Sequence, residues 1–322
     1  MANTLQLYFP QLRERQQILD DIMSRENLKT LYNTWKKEQQ NYFLDICTGA
    51  CGVKMLYDTF FKEILDPDTK PERLEELLSL LLLQKVKILK VLPNDSTRIA
   101  DESSLLIMDI VVQLEDGSIA NVECQKIGYA FPGPRAACYS ADLLLRQYKR
   151  VRGEKGKKFS YKDIKKVYSI IFYEKSPKEF HAFPQNSIHR SKQKTDTGVE
   201  IELLQEFLFI PLDIAKKIYE NSGVRNKLEA WLIFLSDDNP ETIMQLIDTY
   251  PEFRKMYEEV CDLCMNTEKV MNMFSKELLE LDRNTVQLMI DEMQDEIDVQ
   301  KMQLQAQEKY IAELEAQLKK KK

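Results

Sequence analysis

The sequence predicts a mixed α/β protein: a core of α-β-β-β-α-β order, then a helical C-terminal region and a coiled-coil tail. Three observations carry this. The stretch "LLIMDIVVQLEDGSIANVECQKIGYAF" (105–131) reads as two apolar strands around an Asp-Gly turn, preceded by a helix and a strand and followed by a helix. Apolar residues recur at helical spacing from Asp213 to Asp282. Beyond that, a heptad pattern runs to the end of the sequence.

Taken in order, 1–58 reads as a helical N-terminal region, in which Leu12, Ile18, Leu19, Ile22 and Met23 recur amid charges. "PERLEELLSLLLLQ" reads as a helix opened by Pro71, and "KVKILKVL" alternates like a strand. After the hairpin, "PGPRAACYSADLLLRQYKRV" reads as a helix from Pro134, "VYSIIFY" as a buried strand and "LLQEFLFIPL" as another. The domain division expected from this is 1–58, a sheet-bearing domain over 59–211, a helical domain over 212–283 and a tail over 284–322.

Composition bounds the function. The 322 residues, 43% of them apolar, suffice for a substantial core. A net charge of −6 argues against coating by nucleic acid or membrane over the whole surface, so any such contact must be local. With no basic segment leading into an apolar one at the N-terminus and no membrane-length apolar run, a cytoplasmic protein without membrane contact is expected. The cysteines (Cys47, Cys51, Cys124, Cys138, Cys261, Cys264) are too scattered for a disulfide framework. Cys261 and Cys264 fall in a helical pattern with Cys47 and Cys51 far away, so a zinc site is not expected. His181 and His189 fall in a polar stretch and read as surface residues; Trp35 and Trp231 read as packing groups.

Each strand of the hairpin carries a carboxylate, Asp109 and Glu123. A buried carboxylate is costly unless a cation sits beside it. A two-residue turn on Asp116-Gly117 would pair Asp109 with Cys124 and send Glu123 to the other face. A three-residue loop, Glu115-Asp116-Gly117, would set Asp109 opposite Glu123, at roughly 5 Å between Cβ atoms, with Asn121 and Gln125 on the same face. The three-residue loop is chemically well specified, because its third place calls for a left-handed glycine. Two carboxylates so placed would raise one pKa or hold a divalent cation such as Mg²⁺ or Mn²⁺. Ordinary alternation on a half-solvated strand would also put polar residues at 109 and 123.

The ordered pattern of helix, strand, Asp on a strand, short turn and Glu-x-Gln on the next strand, followed by a helix, resembles the PD-(D/E)XK nuclease superfamily. "MDIVVQLEDGSIANVECQK" with "RAACYSADLLLRQY" is similar to its recombination-promoting nuclease and transposase branch, over about 59–211, with a similar helical layout beyond. The resemblance implies a restriction-endonuclease-like fold and a metal-dependent DNA endonuclease that hydrolyses phosphodiester bonds with Mg²⁺ or Mn²⁺. It makes Asp109 and Glu123 metal ligands, with the carbonyl of Cys124 as a third oxygen. Gln125 stands where the superfamily usually has lysine, as it commonly does in this branch; glutamine can position water but carries no charge. Lys126 cannot replace it, since neighbouring strand residues face opposite ways. Arg135 and Tyr139, one turn apart, could face the same site or be a surface arginine over a packed tyrosine. The superfamily often adds a carboxylate from the first core helix, for which Glu63 and Glu76 are the candidates. The alternative function is a catalytically weakened nuclease fold serving as a DNA-binding or oligomeric scaffold.

From the last turns of the helix that follows the hairpin, Arg146, Lys149, Arg150, Arg152, Lys155, Lys157 and Lys158 begin a basic run continued by Lys162, Lys165 and Lys166, against only Glu154 and Asp163. Such clusters bind phosphate backbones, and Phe159 and Tyr161 could stack on exposed bases; a solvated loop would look the same. In the tail, steps of four and three from Val286 reach Ile290, Met293, Ile297, Gln300, Leu304, Gln307, Ile311, Leu314 and Leu318. Glu296 and Lys301 are complementary across a parallel dimer, so a homodimer presenting two nuclease sites to one DNA is expected; a single amphipathic helix laid on the helical domain, to which the two seam glutamines are suited, would show the same pattern.

Overall fold

The computed structural model describes residues 4–93, 109–127, 132–191, 193–199 and 201–279, and in the tail 293, 297, 300–305 and 307. Four helices open the chain: α1 (Thr4–Tyr8), α2 (Arg15–Ser24), α3 (Glu26–Thr34) and α4 (Lys37–Thr48). They are followed by α5 (Asp58–Ile64) and α6 (Pro71–Leu82), the latter opened by Pro71, whose missing N–H costs nothing in the first helical turn.

The sheet is mixed and six-stranded, in the order β1-β2-β3-β4-β6-β5. Its strands are β1 (Ile88–Val91), β2 (Ile110–Leu114), β3 (Ile119–Ile127), β4 (Val167–Lys175), β5 (His189–Ser191) and β6 (Gln205–Pro211). β1, β2 and β3 form an antiparallel meander, β3, β4 and β6 run parallel, and β5 closes the edge antiparallel to β6. Between β3 and β4 lies α7 (Pro132–Lys155), the crossover that a parallel pair requires. After β6 come α8 (Leu212–Ser222), α9 (Lys227–Ser236), α10 (Pro240–Thr249), α11 (Phe253–Met265) and a further helix over 267–279. Asn226 and Asn239 cap α9 and α10 through their side-chain oxygens, at 3.0 Å to Glu229 N and 2.8 Å to Glu241 N.

Period-2 alternation splits the sheet's contacts. Ile110, Val112, Ala120, Val122, Ile170 and Phe172 face a large core shared with the N- and C-terminal helices, from Leu5 to Phe274. Trp35 joins the two ends, its ring 5.1 Å from Phe43 and 5.0 Å from Phe274, and Trp231 packs 5.1 Å from Phe253. The opposite face is covered by α7, where Val111, Ile119 and Val167 meet Tyr139 and Leu143, and Ala136 meets Ile171 and Tyr173.

β5 and α5 carry no strong sequence pattern and emerge only in the fold. His189 corrects its surface reading: on β5 its ring packs 4.8 Å from Phe180. Half of the heptad seam, Val286, Ile290, Ile311, Leu314 and Leu318, lies outside the described residues.

Candidate metal and catalytic site

The hairpin loop holds three residues. Ile110 pairs with Val122, Val111 with Asn121 and Val112 with Ala120, and the Leu114 N–H donates to the Ser118 carbonyl at 2.8 Å; one step beyond the paired residues the same register sets Asp109 opposite Glu123. Gly117 has φ +89 and donates to the Leu114 carbonyl at 2.9 Å, while Asp116 accepts from the Ser118 N–H at 2.9 Å. A side chain at 117 would be strained by that φ, and its Cβ would lie 3.1 Å from Lys165.

This register puts Asn121, Glu123 and Gln125 on the face beneath α7. Asp109 sits just before β2; its Oδ2 accepts from the Cys124 N–H at 2.8 Å and its Oδ1 lies 3.5 Å from Lys62 Nζ. Glu123 is only 3% exposed, and its Oε1 accepts from Asn121 Nδ2 at 2.8 Å. Burial pushes the Glu123 carboxyl up to about 7, and the charge of Asp109 adds to the rise. Hydrogen bonds from Asn121 and Gln125 and the charge of Arg135 oppose it.

Around Glu123 lie buried oxygens that lack a hydrogen-bond partner among the described residues: Asn121 Oδ1, Gln125 Oε1, Ser169 Oγ and Tyr173 Oη. Ser169 and Tyr173 are the β4 neighbours of Asn121 and Gln125. Buried polar atoms are normally satisfied, so four orphans beside a buried carboxylate fit a hard, oxygen-seeking cation. Among the described residues no group of three or more His, Cys, Asp or Glu is arranged for a metal, so such a cation would rest on two carboxylates supplemented by amide and backbone oxygens.

The other candidates fall in several places. Arg135 is exposed, with its guanidinium 5.0 Å over the ring of buried Tyr139. The arginine over a packed tyrosine is therefore what forms, and its charge still acts on Glu123. Glu63 pairs with Lys269 at 3.4 Å and Glu76 with Lys227, so both are engaged by the C-terminal helices. Their neighbour Lys62 is the α5 residue that reaches Asp109, and nothing in "DTFFKEI" marks it. Lys126 points away from Glu123 and forms a buried ion pair with Glu277.

The cysteines lie closer together than their separation in the sequence suggests. Cys51, Cys261 and Cys264 line one small cavity, and Cys47 is hydrogen-bonded with Cys264, so the two sequence pairs meet. Burial pushes the Cys51 thiol up to about 12 and Cys261 higher still, and the bond to Cys47 together with burial raises Cys264. Protonated thiols of this kind are poor metal ligands. A cavity of about 360 Å³ lies at the C-terminal end of β4 on the core face, lined by paired charges such as Lys54 with Glu174 (2.7 Å), away from Glu123.

The basic run occupies the far end of α7. That helix has 24 residues, which puts Arg152 about 25 Å from Arg135. Several of its charges are already used: Arg146 meets buried Asp142 (3.0 Å), Lys155 meets Asp163 (2.5 Å), and Lys166 meets Glu206 (2.7 Å). Arg150 is half-buried, while Lys149, Arg152, Lys157 and Lys158 are exposed. No helix among the described residues is long and apolar enough to cross a membrane.

Residues 55–292 match the family model described as PD-(D/E)XK nuclease family transposase, and the chain belongs to that family. No curated protein and no solved structure matches it.

Proposed function

We propose that this PD-(D/E)XK nuclease family transposase is a metal-dependent DNA endonuclease that hydrolyses phosphodiester bonds during transposition or recombination. The observation that supports it is Glu123: a carboxylate almost wholly buried, opposite Asp109, with orphaned oxygens around it. Asp109, Glu123 and the Cys124 carbonyl would hold Mg²⁺ or Mn²⁺, with Gln125 Oε1 at hand. When bound, the ion supplies polarisation of the scissile phosphate and a water of lowered pKa. Asn121 holds Glu123 in place through its amide. Gln125 orients the attacking water by its side-chain amide, and Lys62 and Arg135 add positive charge near the phosphate in place of a lysine at 125. The Cys124 N–H fixes the Asp109 carboxylate at the strand end.

The experiment is cleavage of supercoiled plasmid with Mg²⁺ or Mn²⁺. Asp109→Asn and Glu123→Gln should each lower the rate by at least about a hundredfold, because each removes ligand charge at nearly constant shape. Cleavage equal to wild type would overturn the assignment. Gln125 itself favours the second reading, a weakened nuclease fold acting as a DNA-binding or oligomeric scaffold. Cleavage that emerges only in Gln125→Lys would select that reading.

The tail supports a parallel homodimer. Met293, Ile297 and Leu304 lie at seam positions and are exposed in the single chain, at 54%, 45% and 57%. An apolar row of this kind calls for a partner helix. Light scattering should show a dimer that becomes a monomer on truncation after Asp282.

A further inference from the structure

Three aromatic side chains gather at the far end of α7. The rings of Tyr148 and Tyr161 stack at 6.1 Å with 12° between planes, and Phe159 packs edge-on to both, at 5.5 and 5.4 Å. Tyr161 is 76% exposed, so most of its ring faces solvent. The Arg152 guanidinium lies 5.6 Å over Tyr148 and donates to its hydroxyl. Lys149, Lys158 and Lys162, each next in sequence to one of the rings, and Lys157 are exposed and have no carboxylate partner among the described residues.

Cations alone would suffice for a phosphate backbone. An exposed ring propped on a second ring, with exposed lysines beside it in the sequence, matches a ligand that carries both phosphates and free aromatic faces. Bases within a duplex are covered above and below by their neighbours, so only unpaired nucleotides can lay a face on Tyr161. We propose that Tyr148, Phe159 and Tyr161, with Arg152, Lys157 and Lys158, form a binding site for single-stranded nucleic acid that begins about 20 Å along α7 from Arg135. It deepens the nuclease reading and rests on it for its setting, as a hold on an unpaired flank of the DNA being cut. The binding itself needs neither Asp109, Glu123 nor a metal.

The test is fluorescence anisotropy of the full chain in chelator, with a labelled oligothymidylate, a duplex of equal length and phosphatidylserine vesicles as probes. Tyr161→Ala should weaken oligothymidylate binding about tenfold or more, by loss of a stacked base, with duplex binding changed by less than about twofold. Tyr161→Phe should keep wild-type affinity. Lys157→Ala with Lys158→Ala should instead flatten the salt dependence on single strands by about one to one and a half units of log-log slope. Equal loss on single strand and duplex, no loss on either, or a loss confined to the vesicles would each overturn the proposal. Because chelator excludes cleavage, failure here leaves the nuclease reading standing. Conversely, an uncleaved plasmid beside Tyr161-dependent binding would sink the nuclease reading alone.

Discussion

Two carboxylates buried to nearly the same depth lie on opposite sides of β3, and the protein treats them differently. Glu277, 1% exposed, meets the ammonium of Lys126, which also sits 5.5 Å over the Tyr57 ring. Glu123, 3% exposed, meets only amides, and among the described residues no lysine or arginine forms an ion pair with it. On the core face the fold supplies the countercharge. On the α7 face only the charge of Arg135, acting without an ion pair, offsets it, and burial lifts the carboxyl to about 7. A buried charge matched from within ties elements together, here β3 to the helix over 267–279. A buried charge left unmatched calls for a cation from outside.

The largest expected effect comes from breaking the matched pair. Lys126→Ala strands Glu277 and should destabilise the protein by about 3–5 kcal/mol in urea unfolding, whereas Lys126→Met combined with Glu277→Leu should cost far less. A single-variant loss as small as that of the double variant would remove the contrast between the two faces. Next is the unmatched carboxylate. Unfolded, Glu123 releases its proton near its ordinary 4.5; folded, near 7. Its contribution to stability is therefore greatest below 4.5 and declines as pH rises through 7, so in chelator at pH 8 Glu123→Gln should stabilise by up to about 3 kcal/mol. The gain should vanish at pH 4, and a pH-independent gain would show that the buried charge is not its source.

The smallest effect concerns the basic end of α7. In duplex binding, neutralising Lys157 and Lys158 should flatten the salt dependence by about two units of slope. Lys155→Ala should add less, because Asp163 already holds that ammonium at 2.5 Å. Equal contributions from all three lysines would show that the Asp163 pair opens on binding.

The hairpin register was legible because Gly117 and the period-2 pleat between them allow Glu123, Asn121 and Gln125 only one common face once the loop length is known. The mixed sheet followed from strand patterns flanking one long helix. Lys62 was not legible, since its contact with Asp109 joins segments far apart in sequence through a helix with no distinctive pattern. The basic run misled in the opposite sense. Arg146, Lys155 and Lys166 look like free charges in the sequence, but their acidic partners are placed beside them by folding. The meeting of Cys47 with Cys264 was hidden for the same reason, because α4 and α11 touch only in the packed core. Local chemistry can be read along a chain; the pairing of charges and thiols across it depends on tertiary packing.

If a divalent cation matches the charge on Glu123, binding of that ion must stabilise the fold through this one side chain. Thermal unfolding at pH 8, in chelator and then in Mn²⁺, tests it without reference to cleavage. Mn²⁺ should raise the wild-type Tm by several degrees and leave Glu123→Gln within about one degree of its value in chelator, since the ligand charge is gone. Equal stabilisation of both proteins, or none of the wild type, would contradict a cation held by Glu123.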